Sequence, residues 1–501
     1  MKKFWQTSGI AAQLLAVILA TPALAEKVNI TLLQMNDVYE ISPVEGGTRG
    51  GLARVATLRK QLLAKNPRTY TLIAGDFLSP SAIGTATVNG QRLAGKQMIA
   101  SLNAMGLDYA TFGNHEFDIN AQQLNERLKE SNFKWFSSNV TTNQGEAFPG
   151  VPLNRIINVK GDGGKTVRVG LIGLTLDSNP ASYVQYTDPI TAAQKQVAAL
   201  KGKVDIIIAL THLSIAQDRK LIRSVPEINM VLGGHEHENI QQRRGRNFVP
   251  IAKADANART VYIHNLVYDT DKPKSLEITS DLQLITEAIP DDPTTAQVVE
   301  KWVDIAFKAF EEMGFYPREK IATTNIYLDG LEESVRNGST NLTEIIAQGM
   351  LKEVPDADLA IFNSGSIRID DTIPPGIITQ YDVLRILPFG GKVLAVEMTG
   401  ELLKRVLDQG ERNRGTGGYL QTANISQDRA SHWLINQQPL EAQRTYKVAI
   451  NDFLVSGNEQ GLDFLTLQAQ GIKLIAEKED IRFSTINQLK SISTTKVTQL
   501  P

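Results

Sequence analysis

Val28-Asn29-Ile30-Thr31-Leu32 alternates apolar and polar side chains, Asn36-Asp37-Val38-Tyr39 follows as a polar break, and Leu52, Val55, Leu58 and Leu62 then recur at helical spacing. A strand, a polar loop and an amphipathic helix in that order are the repeating unit of an α/β fold. Residues 71–74 read as a second strand, and residues 167–174, 204–210 and 228–232 as further buried strands. Residues 97–105 and 122–128 read as helices between them. Sites in such folds gather where strands end.

This pattern runs from residue 26 to 288 and stops at Pro290-Asp291-Asp292-Pro293. A helix then fills most of residues 289–318, a linker before a second α/β unit over 319–475; a polar tail with little periodicity, 476–501, closes the chain. The other end has its own pattern. Lys2 and Lys3 precede an apolar stretch over residues 10–20 and then Thr21-Pro22-Ala23-Leu24-Ala25. A basic start, a short apolar run and an A-x-A site read as a signal peptide, 1–25, cleaved after Ala25. The run is short for a membrane span, so the mature chain is expected to be exported, to the periplasm, without stable membrane insertion.

Composition excludes several classes. The 501 residues are 42% hydrophobic and 21% charged with a net charge of −2, values of a folded chain without a surface for a nucleic acid polymer. An anionic substrate would therefore need local positive charge. The absence of cysteine excludes disulfides although export would permit them.

The polar residues at strand ends form a set. After Asn36-Asp37 come Gly75-Asp76, Gly113-Asn114-His115-Glu116-Phe117-Asp118, Thr211-His212 and Gly233-Gly234-His235-Glu236-His237, which together hold four of the six histidines. Singly, an aspartate after a strand is a turn or cap. Together, five segments supply the nitrogen and oxygen donors that two divalent cations need.

These segments resemble the calcineurin-like metallophosphoesterase signature, and with the second unit the whole mature chain resembles the 5′-nucleotidase family. The resemblance implies a fold: an N-terminal metallophosphoesterase β-sandwich flanked by helices, a linker helix, and a C-terminal α/β substrate-binding domain. It implies roles as well. Asp76 bridges two metals, Asp37 and His237 bind the first, and Asn114, His212 and His235 bind the second. His115 stabilises charge on the phosphoryl group or leaving oxygen, oriented by Asp118. Where the family carries a second histidine, two residues after Asp37, this chain has Tyr39. Three readings stay open: phenolate ligation of a hard cation such as Fe³⁺, a weakly held first metal, or a phenol set aside while water fills the position. The metals are accordingly open among Zn, Mn, Co and Fe.

In the second unit, Asn363-Ser364-Gly365-Ser366-Ile367-Arg368 is by itself a Gly/Ser loop at a strand end. The resemblance makes Asn363, Gly365 and Arg368 part of a substrate motif, adds Arg336 near the phosphate, and sets Tyr419 and Phe453 on either side of a nucleobase, where stacking suits any base. Glu459 stands near the family's usual ribose-binding aspartate, in a loop altered to Gly457-Asn458-Glu459-Gln460-Gly461. Leu387-Pro388-Phe389-Gly390 fits the family as a structural element. The expected activity is hydrolysis of nucleoside 5′-monophosphates, with nucleotide sugars or di- and triphosphates as further substrates. The alternatives are a 2′,3′-cyclic phosphodiesterase or broad phosphomonoesterase, and a catalytically weak nucleotide-binding protein.

Overall fold

The structure is a computed structural model that describes residues 26–178, 181–272 and 275–494. The expected signal peptide and the last residues of the expected tail lie outside the described residues.

The first half alternates strand and helix: β1 Lys27–Met35, α1 Leu52–Lys65, β2 Thr69–Ala74, α2 Lys96–Met105, β3 Tyr109–Thr111, α3 Ala121–Glu130 and β4 Lys134–Trp135. It continues with β5 Arg155–Lys160, β6 Thr166–Thr175, α4 Pro189–Leu200, β7 Ile206–His212, α5 Ile215–Ser224, β8 Met230–Gly233, β9 Ile240–Arg244, β10 Val249–Lys253, β11 Thr260–Asp269 and β12 Leu276–Leu284. Two six-stranded sheets result, ordered β12-β11-β1-β2-β3-β4 and β9-β10-β8-β7-β6-β5. Within them β1, β2 and β3 run parallel, as do β6, β7, β8 and β10.

Period-two patterning sends alternate residues to opposite faces. Val28, Ile30 and Leu32 of β1 meet Leu171, Ile208, Leu210 and Leu232 between the sheets. Leu33 and Met35 face outward under α1 and α2, and Ile172 and Ala209 face outward under α4 and α5. A polar bridge centred on Gln34 crosses the sandwich. Gln34 donates to Gly233 O and Ala252 O of the opposite sheet and accepts from His264, which also hydrogen-bonds Ser280.

The connecting helix α6, Pro293–Glu312, starts with proline behind an Asp292 cap that accepts from the Thr295 N–H at 3.0 Å. It is more than a linker: Val299, Ala306, Phe307 and Phe310 are buried in a core shared with α1 and α2. The second half contains α7 Asn341–Glu353, β13 Leu359–Asn363, β14 Lys392–Thr399, α8 Gly400–Arg412, β15 Leu420–Ala423, β16 Thr445–Asn451, β17 Ile472–Asp480 and α9 Ile481–Thr494. Its sheet has the order β15-β13-β16-β14-β17, with α8 on one face and α7 and α9 on the other.

The expected tail is corrected here: residues 472–494 form the edge strand and a packed helix. The face of α9 was hidden in sequence because Arg482, Ser484, Thr485 and Gln488 are buried with Ile481, Ile486 and Leu489. Buried polar residues erase an apolar stripe.

Candidate active site

Every expected ligand lies at the carboxyl edge of a sandwich strand. Asp37 follows β1, Asp76 follows β2, Asn114 follows β3, His212 ends β7, and His235 and His237 follow β8. Four of them, Asp37, Asp76, His235 and His237, have φ between +52° and +89°. Non-glycine residues rarely adopt that region, so surrounding contacts must hold them there. Small neighbours make the approach possible. A Cβ on Gly113 would lie 2.0 Å from Asp76 Oδ1, and one on Gly234 would lie 2.9 Å from Asp37 Oδ2.

The hydrogen bonds that hold these loops are specific. Glu116 is buried and accepts from the N–H groups of Asp76, Phe77, Leu78 and Gly113 at 2.5–3.1 Å, tying the β2 and β3 loops together. Asp37 Oδ2 accepts from Asn36 Nδ2 at 2.7 Å and from His235 N at 2.9 Å. Beneath the histidine loop, fully buried Lys253 donates to Leu213 O at 2.6 Å and Gly234 O at 2.8 Å and pairs with Asp218 and Glu236. A buried charge persists only when paired in this way.

At the centre, Asp37, Asp76 and His212 bring three donor atoms together. His212 Nδ1 hydrogen-bonds to Ala74 O at 2.8 Å, which leaves Nε2 facing Asp76 Oδ2 at 3.0 Å. A lone pair facing a carboxylate at that distance requires a cation between them, a proton or a metal. Burial works against a charged His212 ring, but Asp76 and Asp37 outweigh it and raise its pKa to about 9, while Nε2 is buried without a hydrogen-bond partner. His235, by burial and the nearby His212 charge, falls to about 3 and stays neutral. Asn114 Oδ1 is buried without a hydrogen-bond partner. A neutral imidazole, an unsatisfied amide oxygen and two carboxylates fit a divalent cation.

Tyr39 is inside this cluster. Its Oη lies 3.0 Å from His237 Nε2, 3.2 Å from Asp76 Oδ2 and 3.5 Å from Asp37 Oδ1. Burial, with Asp76 and Asp37, raises its pKa well above the usual phenol value, so it carries its proton. His115 borders the centre, with its N–H on Asp76 Oδ1 at 2.8 Å and its Nδ1 2.8 Å from Asp118 Oδ2. Burial opposes its protonation; Asp76 and Asp118 prevail and raise its pKa, against the Arg368 charge.

The second half closes over this edge. Between the halves lies a cavity of about 420 Å³ bordered by His235, His237, Arg336 and Asp370. Arg336 pairs with Glu332; burial and the Arg368 charge lower its pKa from the usual arginine value. Two neighbouring guanidiniums, with Arg368 Nε buried and unpartnered, suit an anion. A second cavity, about 550 Å³, is lined by Asn363, Gly365, Arg368, Phe389 and Phe453. Asn363 Oδ1 accepts from Ser366 Oγ at 2.6 Å and Asn451 Nδ2 at 3.0 Å, and Asn363 also hydrogen-bonds Glu459.

Tyr419 does not line that cavity. Its ring lies under the Arg414 guanidinium at 4.7 Å, and Phe389, expected to be structural, lines the cavity with Phe453. Sequence reasoning also passed over Asp370 and Lys253 and gave Glu116 no role; only Glu116, inside the Asn-His-Glu run, carried a local signal.

Residues 30–239 match the model of the calcineurin-like phosphoesterase family, and residues 320–467 match that of the 5′-nucleotidase C-terminal domain. The 5′-nucleotidase of Bos taurus is 28% identical over 90% of this chain and 87% of its own length. Protein UshA of Yersinia enterocolitica is 25% identical over 86% of each chain. Among solved structures, a 5′-nucleotidase precursor from Thermus thermophilus superposes with a TM-score of 0.74 at 25% identity, covering 93% of this chain and 97% of that one.

Proposed function

The chain belongs to the 5′-nucleotidase family, a calcineurin-like phosphoesterase joined to a 5′-nucleotidase C-terminal domain, and from that premise we propose that this phosphoric ester hydrolase acts on nucleotides as an exported enzyme with two divalent cations. The observation that carries the reading is the convergence of two unlike sites. A nitrogen- and oxygen-rich cluster at the sandwich edge faces two arginines and an aromatic cavity on the other half.

Asp37, Asp76 and His237 would hold one cation, and Asp76, Asn114, His212 and His235 the other. When bound, such a pair polarises phosphoryl oxygens and makes water a nucleophile near neutral pH. The chain's own residues do the rest. Arg336 and Arg368 take the phosphate oxygens and set the ester against the cluster. His115, whose pKa Asp76 and Asp118 raise against the effect of burial, would donate a hydrogen bond or proton to the leaving oxygen as charge grows there. Tyr39, standing where the family carries a ligand histidine, leaves the first cation the more weakly held. Phe453 and Phe389 offer ring faces to a base, and Asn363 and Glu459 offer polar atoms to a ribose. Nucleoside 5′-monophosphates fit this arrangement, with nucleotide sugars or longer phosphate chains as further substrates.

Chromatographic analysis of the products, with phosphate release alongside, tests the reading. Metal-stripped protein, resupplied with Zn²⁺, Mn²⁺, Co²⁺ or iron, is expected to hydrolyse AMP or UDP-glucose well ahead of glucose phosphate. A 2′,3′-cyclic nucleotide turned over fastest would assign the cyclic phosphodiesterase reading. Nucleotide binding without turnover under every metal would make the chain a binding protein and refute the proposal.

A further inference from the structure

Two of the candidate ligands are oriented in opposite ways. His212 has its Nδ1 committed to Ala74 O, inside its own half. His237 turns Nε2 toward Asp37 Oδ1 at 3.3 Å, but its Nδ1 is hydrogen-bonded to Asp370, which belongs to the C-terminal half. Asp370 stands two residues beyond Arg368 with φ of +38°. Its other oxygen accepts from the Glu332 N–H at 2.7 Å, so both carboxylate oxygens are committed. Further contacts cross the same boundary: Tyr381 donates to Glu40 at 2.9 Å, and Arg259 lies 3.6 Å from Asp371.

A histidine ligand needs its proton on the ring nitrogen that faces away from the metal, and the acceptor on that nitrogen fixes both tautomer and ring angle. For His237 that acceptor arrives only with the other half of the molecule. We propose that Asp370 is a positioning residue, and that binding of the cation at Asp37 and His237 depends through it on closure of the C-terminal half. Linkage makes the effect reciprocal: whatever closure adds to that cation's affinity, the cation adds to closure. The site at Asn114 and His212 lacks this dependence, because the acceptor behind His212 is in the same half. The consequence is a centre whose second site is always ready and whose first is completed by the domain that carries the substrate-facing arginines. The inference rests on the metal-dependent reading above.

The test uses the full mature chain, stripped of metal and titrated with Mn²⁺ under equilibrium dialysis, with small-angle scattering recorded at each ratio. Wild type is expected to bind two ions and to become more compact as the weaker site fills. Asp370→Asn should retain the tighter site, weaken the other about 10- to 100-fold, and lose the compaction. Its metal-free melting temperature should match wild type. Tyr381→Phe, which loosens the boundary without touching His237, should weaken the same site by a smaller factor, and it answers the question should Asp370→Asn fail to fold. Two wild-type affinities and normal compaction in the variants would overturn the inference and leave the metal reading standing. Equal weakening of both sites would overturn it too, as the mark of general disruption. A wild-type chain that binds no ion would overturn both.

Discussion

The two halves that meet at the cleft are built to different standards of rigidity. On the sandwich side Asp37, Asp76 and His212 are buried, four candidate ligands hold left-handed backbone angles, and the buried side chains of Glu116 and Lys253 brace their loops. On the other side Phe389 and Phe453 are 42% and 43% exposed, and Arg368 keeps a buried nitrogen without a partner. The difference separates two tasks. Holding charge at fixed distances favours preorganisation, which must exist before substrate arrives. Reading a planar base tolerates exposed faces that order on contact.

The largest effect is expected at Asp76. Asp76→Ala removes the one carboxylate shared by both proposed sites. Phosphate release is expected to fall at least about 10³-fold, with metal content reduced in the same sample; full metal content with near-normal turnover would show that the sandwich edge is not the chemical centre. His115→Gln is expected to lower kcat about 10²- to 10⁴-fold with KM little changed, since the group acts on the leaving oxygen rather than on binding. A rise in KM alone would move His115 to the recognition side.

Much of this division was legible in the chain, for a definite reason. Asp37, Asp76, Asn114, His212, His235 and His237 each follow or end a strand, and strand ends are local patterns. Asp370 was not legible, because its partner His237 is 133 positions away and in the other half. Lys253 was hidden for another reason: a lysine at the end of a strand reads as solvated, and only folding shows it enclosed by two carbonyls and two carboxylates. Tyr419, placed beside the base through the family resemblance, has its ring under the Arg414 guanidinium, a contact that no local pattern announces.

A smaller effect sharpens the account of rigidity. Burial lowers the His264 pKa to about 3, so the folded protein keeps this ring neutral between Gln34 and Ser280. The unfolded chain takes up its proton near pH 6.5. Stability from this residue is therefore complete above about pH 6.5 and declines as pH falls toward 3, by at most about 1.4 kcal/mol per pH unit. Melting temperatures of wild type and His264→Gln between pH 7 and 4.5 should show a shallower decline in the variant; parallel curves would mean that His264 does not set the slope.

Chemistry is thus expected of one half and nucleotide reading of the other. The most direct measurement is the ratio of kcat/KM for AMP to that for ribose 5-phosphate, which keeps the ester and drops the base, in wild type and in Phe453→Ala. Base stacking on an aromatic contributes about 1–3 kcal/mol, so wild type should favour AMP by about 5- to 150-fold. Phe453→Ala should lower the ratio several-fold toward one by slowing AMP alone, Phe389 keeping the remainder. An unchanged ratio, or an equal loss for both substrates, would contradict the division of labour between the two halves.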